Sequence, residues 1–274
     1  MASRSAPLTL ARRLLPVLAL CLAASAGLGP VADAGQANPP PLTVAVAHLA
    51  AAPMPGERVR TPPGIELALA TDLAQRAKAA LVLSAAPAAA LQASPTRHGA
   101  RLAFVRVAAG TQAPVGTVYT ALGYDTRPMA ILRTDTDIRS WADARGRSAC
   151  VVAGSSHVGR LAARHGLVEQ VYGTATEALI GVRVGTCDMM VHDDRFLEAL
   201  LHYPEWQKFS ATLRDTPVET LVLVSDAGDT DATRLARQAA RDWRHDQHLS
   251  RLLTRRAQEI AFEVYLEQDT VDCH

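Results

Sequence analysis

Aromatic residues are scarce in this 274-residue chain, at 4%, and cysteine occurs only four times. Four cysteines are too few for a disulfide-dense scaffold, and the lack of any short repeat excludes collagen-like and coiled-coil classes. No large charge of either sign exists: 28 basic and 27 acidic side chains leave a net charge of +1. That balance excludes a strongly basic surface, so no nucleic-acid partner is expected. The basic residues are almost all arginine, with lysine only at Lys78 and Lys208, and together with the abundant alanine this reads as compositional drift. There is no G-x-S-x-G nucleophile elbow. His157, His192, Asp193 and Asp194 lack the tight spacing of a metal motif, so no metal or cofactor is expected. What is present is a 49% hydrophobic composition, which argues against wholesale disorder. At roughly 100–200 residues per domain, the length suits one large or two medium domains.

The N-terminus carries Arg4, Arg12 and Arg13, followed by an apolar run from Leu14 to Leu28. That run is short for a bilayer span, which needs about 20 apolar residues. Two A-x-A stretches follow, Ala24-Ser25-Ala26 and Ala32-Asp33-Ala34. The pattern predicts a cleaved signal peptide over residues 1–34 and export to the periplasm, with a membrane anchor or a lipoprotein at Cys21 as weaker alternatives. Cleavage removes Cys21 and leaves Cys150, Cys187 and Cys273, two of which can pair in an oxidising compartment.

Strands are predicted at Leu42–Ala47, Leu81–Leu83 and Leu102–Val107, with helices over Ile65–Ala80 and Ala85–Ala93. Strand and helix alternate, which favours a parallel sheet flanked by helices. Tyr119–Arg133 is less regular, with Met129–Leu132 as an apolar strand. A second unit then repeats the alternation: a strand at Ser148–Ala153, a turn at Gly154-Ser155-Ser156, and a helix over His157–His165 closed by Gly166. A strand at Val168–Tyr172 precedes Thr174-Ala175-Thr176-Glu177, which has the capping-box pattern and opens a further helix. Strands at Cys187–His192 and Glu219–Ser225, and a helical tail from Ala232 to Gln268 broken near Gln247-His248, complete the chain.

From Tyr124 to Ser225 the chain resembles the second lobe of bacterial extracellular solute-binding proteins of family 3, the periplasmic polar-amino-acid receptors of ABC importers. The resemblance rests on Gly123-Tyr124, Ile131-Leu132-Arg133-Thr134-Asp135, Trp141 to Gly146, Cys150 to Ser156, Glu177-Ala178-Leu179 and Gly185 to Asp193. Ile65–Ala77 resembles a first-lobe helix more loosely. The resemblance implies an α/β, two-lobed periplasmic-binding-protein-like fold (type II), each lobe a mostly parallel sheet flanked by helices, with two crossing hinge strands. Residues 35–128 plus 226–274 would form the first lobe and 129–225 the second. It further implies a monomer that captures a small polar or zwitterionic solute between the lobes for an inner-membrane ABC permease, without enzymatic activity.

The implied ligand-binding residues are Gly154, Ser155, Ser156, Tyr124 and Asp193. Gly154 lets the backbone turn tightly, and unpaired amides at the helix start after Ser155 suit a carboxylate. Asp193, at the carboxyl edge of the sheet, suits an ammonium. The alternative is a plain cap at Ser156 and a solvated strand end at Asp193. The family arginine that grips a ligand carboxylate has no counterpart between Arg106 and Arg127. Arg106, on or near the third strand, is a candidate substitute, and a solvated or lobe-packing role is the equal alternative. Cys150 and Cys187 fall at similar depth on strands that this topology makes neighbours; they form a disulfide or stay as buried thiols. Two other functional readings remain: an accessory or sensory protein that keeps the lobes without transport, and a cyclohexadienyl-dehydratase-like enzyme using Glu57 or Glu66 as its acid.

Overall fold

The computed structural model describes residues 39–49, 62, 64–216 and 218–268, all within one unit, Asn38–His274. The expected signal peptide, Glu57 and Cys273 lie outside these residues. The first sheet contains β1 (Leu42–Val46), β2 (Leu81–Ala85), β3 (Leu102–Ala108) and β4 (Thr117–Thr126), with α1 (Ile65–Ala77) and α2 (Ala88–Ala93) between them. The second contains β5 (Pro128–Leu132), β6 (Ser148–Val152), β7 (Val168–Tyr172), β8 (Met189–Asp193) and β9 (Ala211–Arg214). Its helices are α3 (Arg160–His165), α4 (Ala175–Arg183) and α5 (Asp194–Leu200). β10 (Glu219–Asp226), α6 (Thr230–His245) and α7 (His248–Gln268) follow.

The strand orders are β2-β1-β3-β10-β4 and β7-β6-β8-β5-β9. Each sheet is mixed: two neighbouring pairs are parallel and two antiparallel. The antiparallel pairs come from strands that cross between sheets. β4 passes through Arg127 into β5, and β9 leads back to β10.

Two boundaries differ from the sequence expectation. The strand from Glu219, expected in the second lobe, pairs with β3 and β4 in the first sheet. The terminal helices do not both belong to the first lobe, because α7 packs on α4 and α5 as well as α6. Its buried Leu253, Ala257, Ile260 and Val264 join one apolar cluster that neither sheet owns alone. Val44 and Phe104 of the first sheet share it with Ile131 and Met190 of the second.

The capping box forms as expected, Glu177 N donating to Thr174 Oγ1 at 3.2 Å and Thr174 N to Glu177 Oε2 at 2.9 Å. β4 reads as irregular in the sequence because Gly123 and Pro128 look like breakers. In the fold, Gly123 (φ 80°) lies in a bulge, where the register steps from Thr220↔Asp125 to Val222↔Ala121. Within the same stretch Tyr124 is buried.

Cys150 and Cys187 are joined by a disulfide, with Cα atoms 5.7 Å apart. The two cysteines are not at equal depth: Cys150 is opposite Met190, and Cys187 precedes β8, in the turn after α4. The bridge therefore ties β6 to the exit of α4. A Cβ on Gly181 would lie 2.8 Å from Cys150 Sγ, so that helical position must stay bare. Among the described residues no helix is long and apolar enough to cross a membrane.

Candidate functional site

Side chains alternate across a strand, and β3 places Leu102, Phe104 and Arg106 on the face toward the shared core. Arg106 thereby extends from the first sheet to Asp193, the last residue of β8 in the second. Arg106 Nη1 lies 2.9 Å from Asp193 Oδ2. Tyr124 donates its hydroxyl to the same oxygen at 2.9 Å, and His157 Nε2 lies 3.0 Å from Oδ1. Arg106 also donates to Glu66 Oε1 at 3.1 Å and stands over the Tyr124 ring, 5.4 Å from its centroid. Asp193 is 3% exposed.

Burial alone would raise the Asp193 carboxyl pKa. The Arg106 charge, the His157 hydrogen bond and the two nearby imidazoles outweigh it and hold the group well below the usual carboxylate range. An ionised carboxylate only accepts, so His157 Nε2 carries the proton. Burial pushes the Tyr124 hydroxyl up, and the Asp193 charge adds to that shift. Burial opposes the charge on Arg106, but Asp193 and Glu66 raise its pKa overall. The cluster is thus a buried arginine and aspartate with a neutral tyrosine between sheets.

His192 is pushed down to about 3 by burial, with Arg256, His157 and Arg106 adding to it against the opposing pull of Asp193. It stays neutral and accepts the Asp193 N–H on Nδ1 at 2.7 Å. In the unfolded chain a histidine protonates near pH 6.5, so between that pH and about 3 the unfolded state binds the extra proton. Stability contributed by this group is therefore complete above pH 6.5 and declines as pH falls, by up to about 1.4 kcal/mol per unit. The depressed Asp193 acts in the same sense, below about pH 4. Urea unfolding at pH 7, 6 and 5 should show this loss, with a shallower slope in His192→Asn. An equal slope in that variant would refute the assignment.

Three of the six residues named from sequence meet here: Arg106, Tyr124 and Asp193. Gly154, Ser155 and Ser156 do not line a common cavity with them. Gly154 (φ 73°) is pressed by the first-sheet side, where an added Cβ would collide with the His48 side chain. Ser155 Oγ accepts from His157 N at 3.1 Å, and Ser156 donates to Glu219 Oε2 at 2.5 Å, beside the Arg160–Glu219 ion pair.

The expected helix start after Ser155 is displaced. Gly159 (φ 76°) interrupts the backbone and α3 begins only at Arg160. Its opening amides are already occupied, Gly159 N and Ala162 N donating to the Glu169 carboxylate at 2.7 and 3.1 Å. At the start of α3 the Glu169 carboxylate thus stands where a ligand carboxylate would otherwise sit. Glu169 and Glu219 are not marked in the sequence, since nothing local signals an acid whose partner lies 10 or 63 residues away. Glu66, a candidate acid for an enzyme, is the Arg106 partner. Among the described residues no group of histidine, cysteine and acid side chains could hold a metal.

No protein-family model matches this chain, and no curated protein matches it. Solved structures do. A mutant of ArgBP from T. maritima aligns with TM-score 0.54 at 15% identity, covering 77% of this chain and 92% of that one. The amino acid ABC transporter substrate-binding protein AbpA from Streptococcus pneumoniae, bound to L-arginine, aligns with TM-score 0.56 at 13% identity, covering 80% and 95%. The GluR0 ligand-binding core in complex with L-glutamate gives 0.51 at 15% identity, covering 81% and 98%. The chain shares the two-lobed α/β fold of amino-acid ABC transporter substrate-binding proteins and spans nearly their whole length.

Proposed function

We propose that this chain is a periplasmic solute-binding protein that captures a small zwitterionic solute between its sheets for an ABC importer. The fold likeness supports the class. The observation that carries the reading is the Arg106–Asp193 pair, a buried cation from one sheet on a buried anion from the other. If the sheets separate, Arg106 keeps Glu66 and Asp193 keeps His157 but each loses the other, and a zwitterion replaces both losses: its carboxylate takes Arg106 and its ammonium takes Asp193. Tyr124 and His157 remain to complete the carboxylate's hydrogen bonding. The closed arrangement is then the solute-free state, latched by its own ion pair.

A second reading is an accessory protein with a sealed cleft. It is favoured by the close approach of His48 to Gly154 and by the apolar cluster common to both sheets. A thermal-shift panel of amino acids separates the two. A solute at 100 times its dissociation constant stabilises by about 2.7 kcal/mol, and Asp193→Asn should remove that response. A melting temperature indifferent to every amino acid would leave the accessory reading.

A further inference from the structure

A groove of about 430 Å³ lies away from the Asp193 cluster, where both chain crossings meet α5 and the first turns of α7. None of Arg106, Tyr124, His157 and Asp193 lines it. Its volume is within the range of small-molecule sites, and the pocket beside His157, about 50 Å³, is far smaller.

The acids of the groove are committed to the protein. Asp194 Oδ1 accepts from Thr126 Oγ1 and from the backbone N–H groups of Arg127 and Arg195 at 2.9, 3.2 and 2.9 Å. Asp194 Oδ2 lies 3.4 Å from Arg127 Nε. Glu198 is 2.7 Å from Arg214, and Asp125 Oδ1 accepts from Thr220 at 2.6 Å.

The donors are not. Arg195 spends only Nε, on the Asp125 carbonyl at 2.8 Å, and Arg127 faces Asp194 through Nε. Among the described residues the terminal nitrogens of both guanidiniums and the hydroxyls of Ser250 and Thr254 have no hydrogen-bond partner within the protein, and all four residues are exposed to solvent. Exposed guanidinium donors free of protein partners, beside acids that each already hold a protein partner, suit an anion. Val218 and Leu253 add apolar surface to the same wall.

We propose that this groove binds a small organic anion, a carboxylate or a phosphate, gripped by Arg127 and Arg195 with its body on Val218 and Leu253. The site is independent of the zwitterion reading, because an anion without an ammonium has nothing to offer Asp193.

Calorimetric titration of the full chain with succinate, glycerol 3-phosphate and inorganic phosphate, each to about 10 mM, tests it. Saturable binding of at least one probe is expected, weakened at least about tenfold in Arg195→Gln and unchanged in Arg234→Gln, an exposed arginine of α6 outside the groove. The responding probe distinguishes carboxylate from phosphate. The proposal is overturned by silence from all three probes, by binding that Arg195→Gln leaves intact, or by equal weakening in both variants, which would mean diffuse charge.

Discussion

Replacing Asp193 by alanine should lower the unfolding free energy by about 3–5 kcal/mol. The carboxylate accepts from Tyr124 and His157 and is the ion-pair partner of Arg106, and deleting it leaves a buried guanidinium with only Glu66 for a counter-ion. A charge stripped of its partner in the interior is far more damaging than the loss of the pair as a whole. The double variant Arg106→Met/Asp193→Leu should therefore recover more than half of the deficit, although it removes one charge more. Urea denaturation of Arg106→Met, Asp193→Leu and the double variant gives the coupling directly. Additive losses would show that the two residues act separately and that no latch exists.

The second large effect belongs to the disulfide. Cys150 and Cys187 are 37 residues apart, and opening a loop of that size gives the unfolded chain entropy equivalent to about 4 kcal/mol at room temperature on the loop-closure model. Cys150→Ala/Cys187→Ala should show that loss in urea midpoint, and the parent protein should approach it in reductant. Removing the sulfurs also relieves the crowding over Gly181, so Gly181→Ala should be much better tolerated in the cysteine-free background than in the parent. Equal damage in both backgrounds would mean that the Tyr172 hydroxyl, 2.9 Å from the same position, sets the limit.

The sequence signals that agree with the fold are local ones. Thr174 and Glu177 are three residues apart, and a capping box needs nothing beyond that spacing. The break before His248 is legible too, where Gln247 takes a left-handed backbone (φ 52°). The interior strands β1, β3 and β8 are readable as short apolar runs because both of their faces are buried.

What escapes the sequence is set by tertiary partners. β4 looks interrupted at Gly123, yet two flanking strand segments absorb the glycine in a bulge. The helix expected to open after Ser155 starts only at Arg160, behind the left-handed Gly159, and Glu169 from the following strand holds the Gly159 and Ala162 amides at its start. Asp193 is marked by its position at a sheet edge, but the face that meets it is built by Arg106 from another sheet, 87 positions earlier in the chain by their numbering. Such pairings have no local signature.

The placement of α7 has a consequence for how the molecule comes apart. Had each sheet owned a separate interior, heating could melt one half and spare the other. Each sheet does keep a smaller apolar cluster of its own, but Val44, Ile131, Met190 and Ile260 belong to one larger interior common to both, so shortening α7 at Arg256 would strip packing from both halves together. Calorimetry of the intact chain should accordingly give a single endotherm with matching calorimetric and van't Hoff enthalpies, and the slowest-exchanging amides of β3 and β8 should share one opening free energy.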